Sequence, residues 1–308
     1  MKQYLDLMKQ IKDNGVDIVD RTWVGTRKLF GAQMRFDLAE GFPLVTTKKT
    51  FLRAIIVELI WLIRWETNIK YLVDRDVRIW NEWPFQAYLK ANDLEEKLPK
   101  YSDEWQEELA NFITSIKEKD KEDPFVVKWW ELGPVYGHQR RNFWGSWVDQ
   151  LKTMIEMIRT SPESRRIIVN ARNPAQLKDM LLPPCHMFYQ ANVDTTNKKL
   201  NLQMYQRSCD MFLWVPFNIA SYATLLLLLA KITDLEPGTF VHTLGDAHIY
   251  QNHREVVDKQ LEREPHALPE LKILKDIKTL QDIEQLERSD FDLIWYTSHG
   301  RLKAAVAV

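Results

Sequence analysis

Cys185 is the residue whose surroundings most favour chemistry. It follows Pro183-Pro184 in a tight turn, directly before an apolar run over 187–193 that is typical of a strand. A thiol becomes a useful nucleophile when cationic neighbours lower its pKa. We therefore predict that Cys185 is a catalytic nucleophile, with His186 beside it as a second catalytic candidate. Cys209 lacks this setting, and we interpret it as a small buried hydrophobe.

Arginines recur at positions that suit an anion. Arg165 and Arg166 adjoin at the start of an apolar run, Arg207 and Ser208 close a predicted strand, and Arg21 precedes a loop. Guanidinium groups match phosphate oxygens in a bidentate way, and a serine hydroxyl adds a further donor. Any one of these arginines alone is better explained as a surface residue. Together they predict a phosphate site.

Glu58 interrupts an apolar helical stretch from about residue 50 to residue 64, for which Thr50 is a candidate cap. A carboxyl group on an apolar face has a raised pKa and can serve as an acid or a base. The alternative is a glutamate at the edge of the helix that points into solvent. The pattern alone favours neither.

Three further side chains could bind a polar ligand. Asn218 begins a nearly all-apolar stretch, 218–232, that predicts a buried helix. A buried amide needs partners, and it can meet a donor and an acceptor at once, as the edge of a pyrimidine requires. A helix N-cap is the alternative for Asn218. His248 and Tyr250 share one face of a predicted strand and could hold a sugar hydroxyl, although ordinary strand residues would show the same spacing.

The bulk composition limits the class of protein. The 308 residues are 45% hydrophobic and 28% charged, with a net charge of −1, which gives no reason to expect nucleic-acid or membrane partners. Two cysteines suit a reducing compartment, and no basic-then-apolar leader opens the chain, so we expect a cytoplasmic protein. No Cys/His spacing fits a zinc site, so no metal is predicted, and no glycine-rich phosphate loop occurs.

The hydrophobic pattern predicts a mixture of helices and strands. Helical spacing occurs at 2–13, 50–64, 146–159, 218–232 and 251–262, and strand-like patterns occur at 26–37, 167–171, 187–193, 200–207 and 240–250. The charged stretch 86–125 is interpreted as a small helical insertion on the surface, without a core of its own. Because helices and strands do not alternate strictly, we predict an α+β layered fold in a single domain over 1–308.

Taken in order, the motifs resemble the thymidylate synthase family, from about Tyr4 to Val308. The likeness rests on nine stretches: Asp20-Arg21-Thr22, 31–38, Ile79-Trp80-Asn81-Glu82-Trp83, Gly133-Pro134-Val135-Tyr136-Gly137, Ser164-Arg165-Arg166, Pro183-Pro184-Cys185-His186, Tyr205-Gln206-Arg207-Ser208-Cys209-Asp210, Pro216-Phe217-Asn218 and Val306-Ala307-Val308. The resemblance implies a large mixed sheet that packs against its copy in a homodimer. It also implies that 86–125 is an insertion seen in one bacterial branch of the family.

The resemblance further implies a reaction. Cys185 would attack C6 of deoxyuridylate (dUMP), and C5 would then take a one-carbon unit from the co-substrate 5,10-methylenetetrahydrofolate, giving dTMP and dihydrofolate. Glu58 would act through a network of water molecules around the base, and Tyr136 would lie near the C5 proton. Asn218 would select uracil.

Binding roles are implied for two further sets of residues. The set for the nucleotide comprises Arg21, Gln206, Arg207, Ser208, Asp210, Asn218, His248 and Tyr250, joined by Arg165 and Arg166 from the other subunit. The set for the folate comprises Ile79, Trp80, Trp83, Asp210, Leu213, Trp214, Phe217 and Val308, with Asp210 on the pterin.

Several positions depart from the family pattern, and they lie around the folate side or behind the nucleotide site. Tryptophan replaces glycine at Trp65 and Trp214, arginine replaces tryptophan at Arg140 and Arg172, and three further changes occur at Ala191, Asn192 and Ala305. Three functions therefore stay open. They are a thymidylate synthase, a pyrimidine-nucleotide hydroxymethylase in which water captures the methylene intermediate, and a non-catalytic nucleotide- or RNA-binding homologue.

Overall fold

The computed structural model describes residues 1–19 and 24–306. Its helices are α1 (Lys2–Asn14), α2 (Leu52–Ile63), α3 (Lys70–Val73), α4 (Glu82–Ala91), α5 (Asp103–Glu118), α6 (Pro124–Trp129), α7 (Tyr136–Arg141), α8 (Gln150–Thr160), α9 (Val215–Ile232), α10 (Arg254–Leu261) and α11 (Leu280–Glu284). Its strands are β1 (Val16–Ile18), β2 (Thr26–Asp37), β3 (Ile168–Asn170), β4 (His186–Asp194), β5 (Lys199–Asp210), β6 (Glu236–Tyr250), β7 (Glu270–Ile273) and β8 (Phe291–Ile294). The predicted α+β class is confirmed.

Six strands form one mixed sheet in the order β1-β2-β6-β5-β4-β3. β2 runs antiparallel to β6, and β4 runs antiparallel to β5. β5 and β6 are parallel, which is possible because the long helix α9 connects them. Their register places Gln206 opposite Leu244 and Asp210 opposite His248, so polar residues of both strands come together near the end of β5.

The two faces of this sheet differ in polarity. Along β5, Leu200, Leu202 and Met204 are buried, whereas Gln203 between them is exposed. This alternation is the period of a strand with one face in the core. On the other face, Thr243 accepts hydrogen bonds from the side chains of Gln33 (3.1 Å) and Gln203 (3.0 Å).

Helix α9 packs against β5 and β6 and supplies much of the core. It is long and apolar enough to cross a membrane, but 83% of its apolar window is buried within the protein. That burial is typical of a core helix. Truncating a buried leucine such as Leu226 to alanine would cost about 2–5 kcal/mol of stability.

The chain divides into two compact units. Unit 1 comprises Met1–Ile56, Lys152–Val169 and Cys185–Val308, and unit 2 comprises Val57–Leu151 and Asn170–Pro184. The single-domain organisation stays a prediction. Unit 2 carries the helices of the charged stretch 86–125, and the assignment of this stretch as an insertion stays a prediction. Its sparse apolar residues nevertheless form a buried aromatic cluster in which the rings of Trp105 and Phe112 each lie 5.3 Å from that of Phe85.

Several predicted boundaries were wrong: β6 begins at Glu236 and not at 240, and α10 begins at Arg254 and not at 251. Helix α8 begins at Gln150 and not at 146, because Phe143 and Val148 pair as a β-bridge and enclose a tight turn. Helix α9 begins at Val215, three residues before the predicted start. Proline at the next position, Pro216, suits the first turn of a helix, where its missing N–H is not needed.

Candidate active site

Cys185 lies directly before β4 and is half-buried. Its carbonyl oxygen accepts a hydrogen bond from the backbone N–H of Arg207 (2.9 Å), which fixes the cysteine beside Arg207 and Ser208 of β5. His186, the first residue of β4, packs edge-on against the ring of Tyr222, with 5.3 Å between centroids. The sheet therefore brings the backbone of Cys185 next to one part of the predicted phosphate site.

Cys209 has the character predicted for it. It is fully buried, and burial, with the nearby charge of Cys185, raises the pKa of its thiol well above the ordinary value. Its Sγ lies 3.3 Å from the carbonyl oxygen of Gln206. A thiol that resists ionisation is a poor nucleophile, so Cys185 is the better candidate.

A chain of three polar side chains fixes the orientation of Asn218. Its Oδ1 accepts a hydrogen bond from Nε2 of Gln206 (3.0 Å), and Oε1 of Gln206 lies 2.9 Å from Nε2 of His242. Burial lowers the pKa of the fully buried His242 to about 3, so its ring is neutral and Nε2–H is the donor. The sequence reasoning did not find His242, because nothing in its strand pattern separates a buried polar residue from an apolar one.

Asn218 differs from its prediction in two respects. It lies inside the first turn of α9 and is not the N-cap, which is Trp214. It is half-buried and not enclosed. Because α9 begins earlier than predicted, the amide is presented at the accessible end of a buried helix, where a ligand can reach it.

His248 and Tyr250 share one face of β6, as predicted, with their rings edge-on at 5.1 Å. Nδ1 of His248 lies 3.0 Å from Oδ1 of Asp246, whose Oδ2 accepts from Nζ of Lys28 at 2.5 Å. Burial alone would raise the pKa of Asp246, but these two hydrogen bonds hold it below its usual range. With Nδ1 engaged, Nε2 is the ring atom that can bond a ligand hydroxyl.

The predicted cations occupy different settings. Arg207 and Ser208 are half-buried on β5, whereas Arg165 and Arg166 are exposed on a turn before β3. The turn is held by hydrogen bonds from the backbone N–H of Arg166 to Oγ of Ser164 (3.2 Å) and from the Gln190 side chain to the carbonyl of Arg165 (3.0 Å). Arg21 and Val308 lie outside the described residues.

Asp210 and Lys48 shape the turn that follows β5. Oδ1 of Asp210 accepts from the backbone N–H groups of Phe212 and Leu213, both at 3.0 Å. Lys48 is 6% exposed and donates to the carbonyl of Phe212. Burial lowers the pKa of Lys48 to about 7, although the charge of Asp210 acts to raise it. The sequence reasoning missed Lys48 because Thr46-Thr47-Lys48-Lys49 is typical of a surface loop.

The turn also carries residues predicted to contact the folate. Leu213, Trp214 and Phe217 are half-buried, and the rings of Trp214 and Phe217 lie 6.1 Å apart at a steep angle. Trp214 therefore packs against a neighbour within the same turn. All three residues keep an accessible surface.

In unit 2, Glu58 faces aromatic side chains and does not point into solvent. Its Oε1 accepts a hydrogen bond from Nε1 of Trp80 (2.7 Å). Desolvation by the surrounding side chains raises the pKa of Glu58 to about 7, against the opposing effects of Trp80 and the charge of Arg140. The carboxyl group can therefore hold or release a proton near neutral pH, as predicted.

An aromatic surface surrounds this carboxyl group. The ring of Trp80 lies 5.4 Å from that of Trp83 and 6.0 Å from that of Tyr136, and Ile79 is half-buried beside it in the chain. Arg140 is 2% exposed, with its guanidinium 5.6 Å from the ring centre of Tyr136. Among the described residues, no group of three or more His, Cys, Asp or Glu could hold a metal ion.

Comparison with known proteins gives a consistent result. The family model described as thymidylate synthase matches residues 2–308. Proteins named thymidylate synthase are 50% identical in Mycoplasma mobile and 47% identical in Phytoplasma mali, each over 308 residues and covering 100% of both chains. One from Listeria monocytogenes is 44% identical over 322 residues, again with full coverage of both chains.

Proposed function

The chain belongs to the thymidylate synthase family, and we propose that it methylates C5 of dUMP through Cys185, Glu58 and Asn218, with 5,10-methylenetetrahydrofolate as co-substrate. The products are dTMP and dihydrofolate. The observation that supports these residue roles best is the arrangement at the end of β5. There the backbone carbonyl of Cys185 accepts a hydrogen bond from the backbone N–H of Arg207, and the side chain of Asn218 is oriented by Gln206.

Cys185 acts as the nucleophile. Its thiolate forms a bond to C6 of the uracil ring, and the electron pair of the C5–C6 double bond moves to C5 and O4. C5 thereby becomes the carbon nucleophile that takes the one-carbon unit. When the proton on C5 has been removed, with Tyr136 close by, and the new group has been reduced, the thiolate leaves and the double bond forms again.

Asn218 reads the base. The hydrogen bond from Gln206 uses Oδ1 of Asn218 as an acceptor and so fixes which way the amide faces. Uracil presents N3–H as a donor and O4 as an acceptor, whereas cytosine reverses this pattern. A fixed amide therefore discriminates between the two bases, because the wrong base leaves polar groups unpaired.

The phosphate and sugar are bound by the residues predicted for them. Arg207 and Ser208 donate to the phosphate, joined by Arg165 and Arg166 from a second copy of the chain and by Arg21. Two observations support the second copy: Arg165 and Arg166 are exposed, and so are Gln33 and Gln203 on the polar face of the large sheet. His248 and Tyr250 hold the sugar hydroxyl.

The residues around Glu58 fit a flat heteroaromatic co-substrate. Trp80 and Trp83 offer ring surfaces, and Glu58 can supply or accept a proton near pH 7. The folate supplies the one-carbon unit and then the hydride. The family resemblance supports a pterin contact for Asp210 and folate contacts for Ile79, Leu213, Trp214, Phe217 and Val308. We expect the enzyme to work in the cytoplasm.

Mass spectrometry of the products tests the reaction. The protein is incubated with dUMP and 5,10-methylenetetrahydrofolate, with the Cys185→Ser variant in parallel. We expect dTMP and dihydrofolate from the protein and neither product from the variant. A hydroxymethylated nucleotide with tetrahydrofolate, or dUMP that binds without turnover, would overturn the proposal.

Sedimentation velocity tests the role of a second copy. A lysine at Thr243 would place a charge at the centre of the polar patch on the exposed sheet face. We expect Thr243→Lys to be monomeric and inactive, and Thr114→Lys, on the exposed surface of α5, to remain a dimer with full activity. A Thr243→Lys dimer, or an active monomer, would contradict the arrangement.

A further inference from the structure

Four tryptophans adopt a backbone conformation that large side chains avoid. Among the described residues, φ is +66° at Trp65, +57° at Trp144, +62° at Trp147 and +60° at Trp295. In this left-handed region Cβ crowds the backbone carbonyl, at a cost of about 1–2 kcal/mol for a residue with a side chain. Glycine has no Cβ and takes the conformation freely. For a bulky residue such a φ is a genuine outlier.

Trp65 occupies the position at which helices most often carry glycine. It follows the end of α2 and lies between Arg64 and Glu66. The N–H of Glu66 donates to the carbonyl of Trp61 (3.3 Å), which is the long hydrogen bond of a Schellman motif. Trp65 is the residue of this motif that has the left-handed conformation, and it occupies the C′ position. This is also a position at which the family pattern has glycine.

Trp144 and Trp147 lie in one tight turn. The turn is closed by the bridge between Phe143 and Val148, and it contains Gly145 with φ of +69°. Three of its four residues are therefore left-handed, and one of the three is a glycine. The N–H of Gly145 donates to the carbonyl of Asn142 (2.9 Å) and that of Trp147 to the Asn142 side chain (2.6 Å), so the backbone is held in this form.

Three of the four indoles are largely exposed, and the fourth, that of Trp65, lies edge-on to Trp147 with 5.8 Å between ring centroids. Trp144 is 63% exposed, Trp147 is 79% exposed, and Trp295, which follows β8, is 76% exposed. The composition also shows an excess of tryptophan over glycine, with 12 tryptophans and only 10 glycines. At the average glycine content of about 7%, roughly 20 would be expected in a chain of this length.

We propose that residues 65, 144, 147 and 295 are glycine positions, and that the cells that make this protein insert glycine there. In some variant genetic codes a codon that is normally a stop codon is read as tryptophan, and in others the same codon is read as glycine. A single difference in how this codon is translated therefore accounts for all four positions. The functional chain then has no strain at these turns. The indole at the end of α2, the helix that carries Glu58, is absent from it. Trp214, with φ of −98°, lacks this geometric signature.

Peptide mass spectrometry of the protein isolated from its native cells is the deciding experiment. We expect glycine at 65, 144, 147 and 295, and tryptophan at Trp61 and Trp80, whose φ is not positive. The same peptide map also reads position 214. Tryptophan at the four positions of the native protein would overturn the proposal.

Variants test the backbone argument separately. The four single variants Trp65→Gly, Trp144→Gly, Trp147→Gly and Trp295→Gly are compared with alanine at the same positions, because alanine removes the indole but keeps Cβ. We expect each glycine variant to melt about 2–4 °C above its alanine counterpart. In the control Trp129→Gly, where the residue is helical and its ring packs on Tyr88, we expect the Tm to fall. Equal Tm values for glycine and alanine at the four positions would contradict the assignment.

Discussion

Units 1 and 2 position their functional groups by different physical means. In unit 1, His242, Gln206 and Asn218 form a chain of hydrogen bonds of 2.9 and 3.0 Å across neighbouring strands and the start of α9. In unit 2, Glu58 has one strong hydrogen bond, to Trp80, and is otherwise tuned by desolvation and by the charge of Arg140. The first arrangement fixes an orientation. The second sets a pKa.

The difference suits the two tasks proposed for these residues. Reading a base requires donors and acceptors that cannot turn, and a sheet with a buried polar network provides them. An acid-base group requires a pKa close to the working pH, and a partly apolar setting provides it. Variants of the chain formed by His242, Gln206 and Asn218 should therefore mainly change the KM for dUMP, whereas variants around Glu58 should mainly change kcat.

The largest effect is expected from Cys185→Ser. A serine hydroxyl is a far weaker nucleophile than a thiolate, and we expect kcat to fall by at least about 1000-fold, measured by dTMP formation. The control is Cys209→Ala, which removes the buried thiol, and we expect its kcat to change little. Loss of activity in the control, together with a normal Tm, would reverse the assignment of the two cysteines.

Glu58→Gln should have the next largest effect. The amide keeps the hydrogen bond from Trp80 but cannot exchange a proton, so we expect kcat to fall by about 10²–10⁴-fold with little change in the KM for dUMP. Steady-state kinetics measures both constants. Glu66→Gln, which changes a carboxyl group paired with Lys121, is the matched control and should stay active. An equal loss in KM and kcat would erase the proposed distinction between the units.

His242→Phe should have a moderate effect on recognition. The ring keeps its volume, but the Gln206 carbonyl loses its donor, and the Asn218 amide loses its fixed orientation. A hydrogen bond is worth about 1 kcal/mol, so we expect a roughly 5- to 10-fold rise in the KM for dUMP with kcat largely kept. Phe240→Leu, which alters the neighbouring apolar core on the same strand, is the control. An unchanged KM in His242→Phe would show that Gln206 holds its orientation alone.

His242 should also give unit 1 a dependence of stability on pH. Its folded pKa of about 3 lies below the ordinary 6.5, so between these values the unfolded chain binds the extra proton. The stability is fully present above pH 6.5 and is lost as the pH falls toward 3, by up to about 1.4 kcal/mol per pH unit. Urea unfolding from pH 7 to 4 should show a shallower decline for His242→Phe. Parallel declines would contradict the neutral, buried ring.

Arg140→Met should produce the smallest change. The charge of Arg140 lowers the pKa of Glu58 from the value that desolvation alone would give. Without this charge we expect the pKa of Glu58 to rise above 7. The infrared carboxyl band of Glu58, recorded as a function of pH, measures this pKa. Arg172→Met, which removes a half-buried cation from a segment next to β3, is the control. An unmoved pKa would mean that the Arg140 charge is screened from the carboxyl group.

The sequence by itself determined the element types and most of the candidate residues. The strand period placed His248 and Tyr250 on one face, because side-chain direction in a strand depends only on the period of two. The apolar runs at 50–64 and 218–232 predicted α2 and α9, because their apolar residues recur at helical spacing and the runs are too long for single strands. The turn formed by Pro183-Pro184 before β4 indicated Cys185 as the candidate nucleophile, since proline restricts the backbone locally.

Only the tertiary structure decided the burial and partners of single polar groups. Lys48 and His242 resemble ordinary loop and strand residues in sequence. Their pKa values of about 7 and 3 arise from long-range packing that no local pattern contains. The start of α9, and with it the accessibility of Asn218, likewise depended on the turn organised by Asp210. The backbone also revealed the left-handed positions of four tryptophans, because φ is fixed by hydrogen bonds around a turn and not by the residue that occupies it.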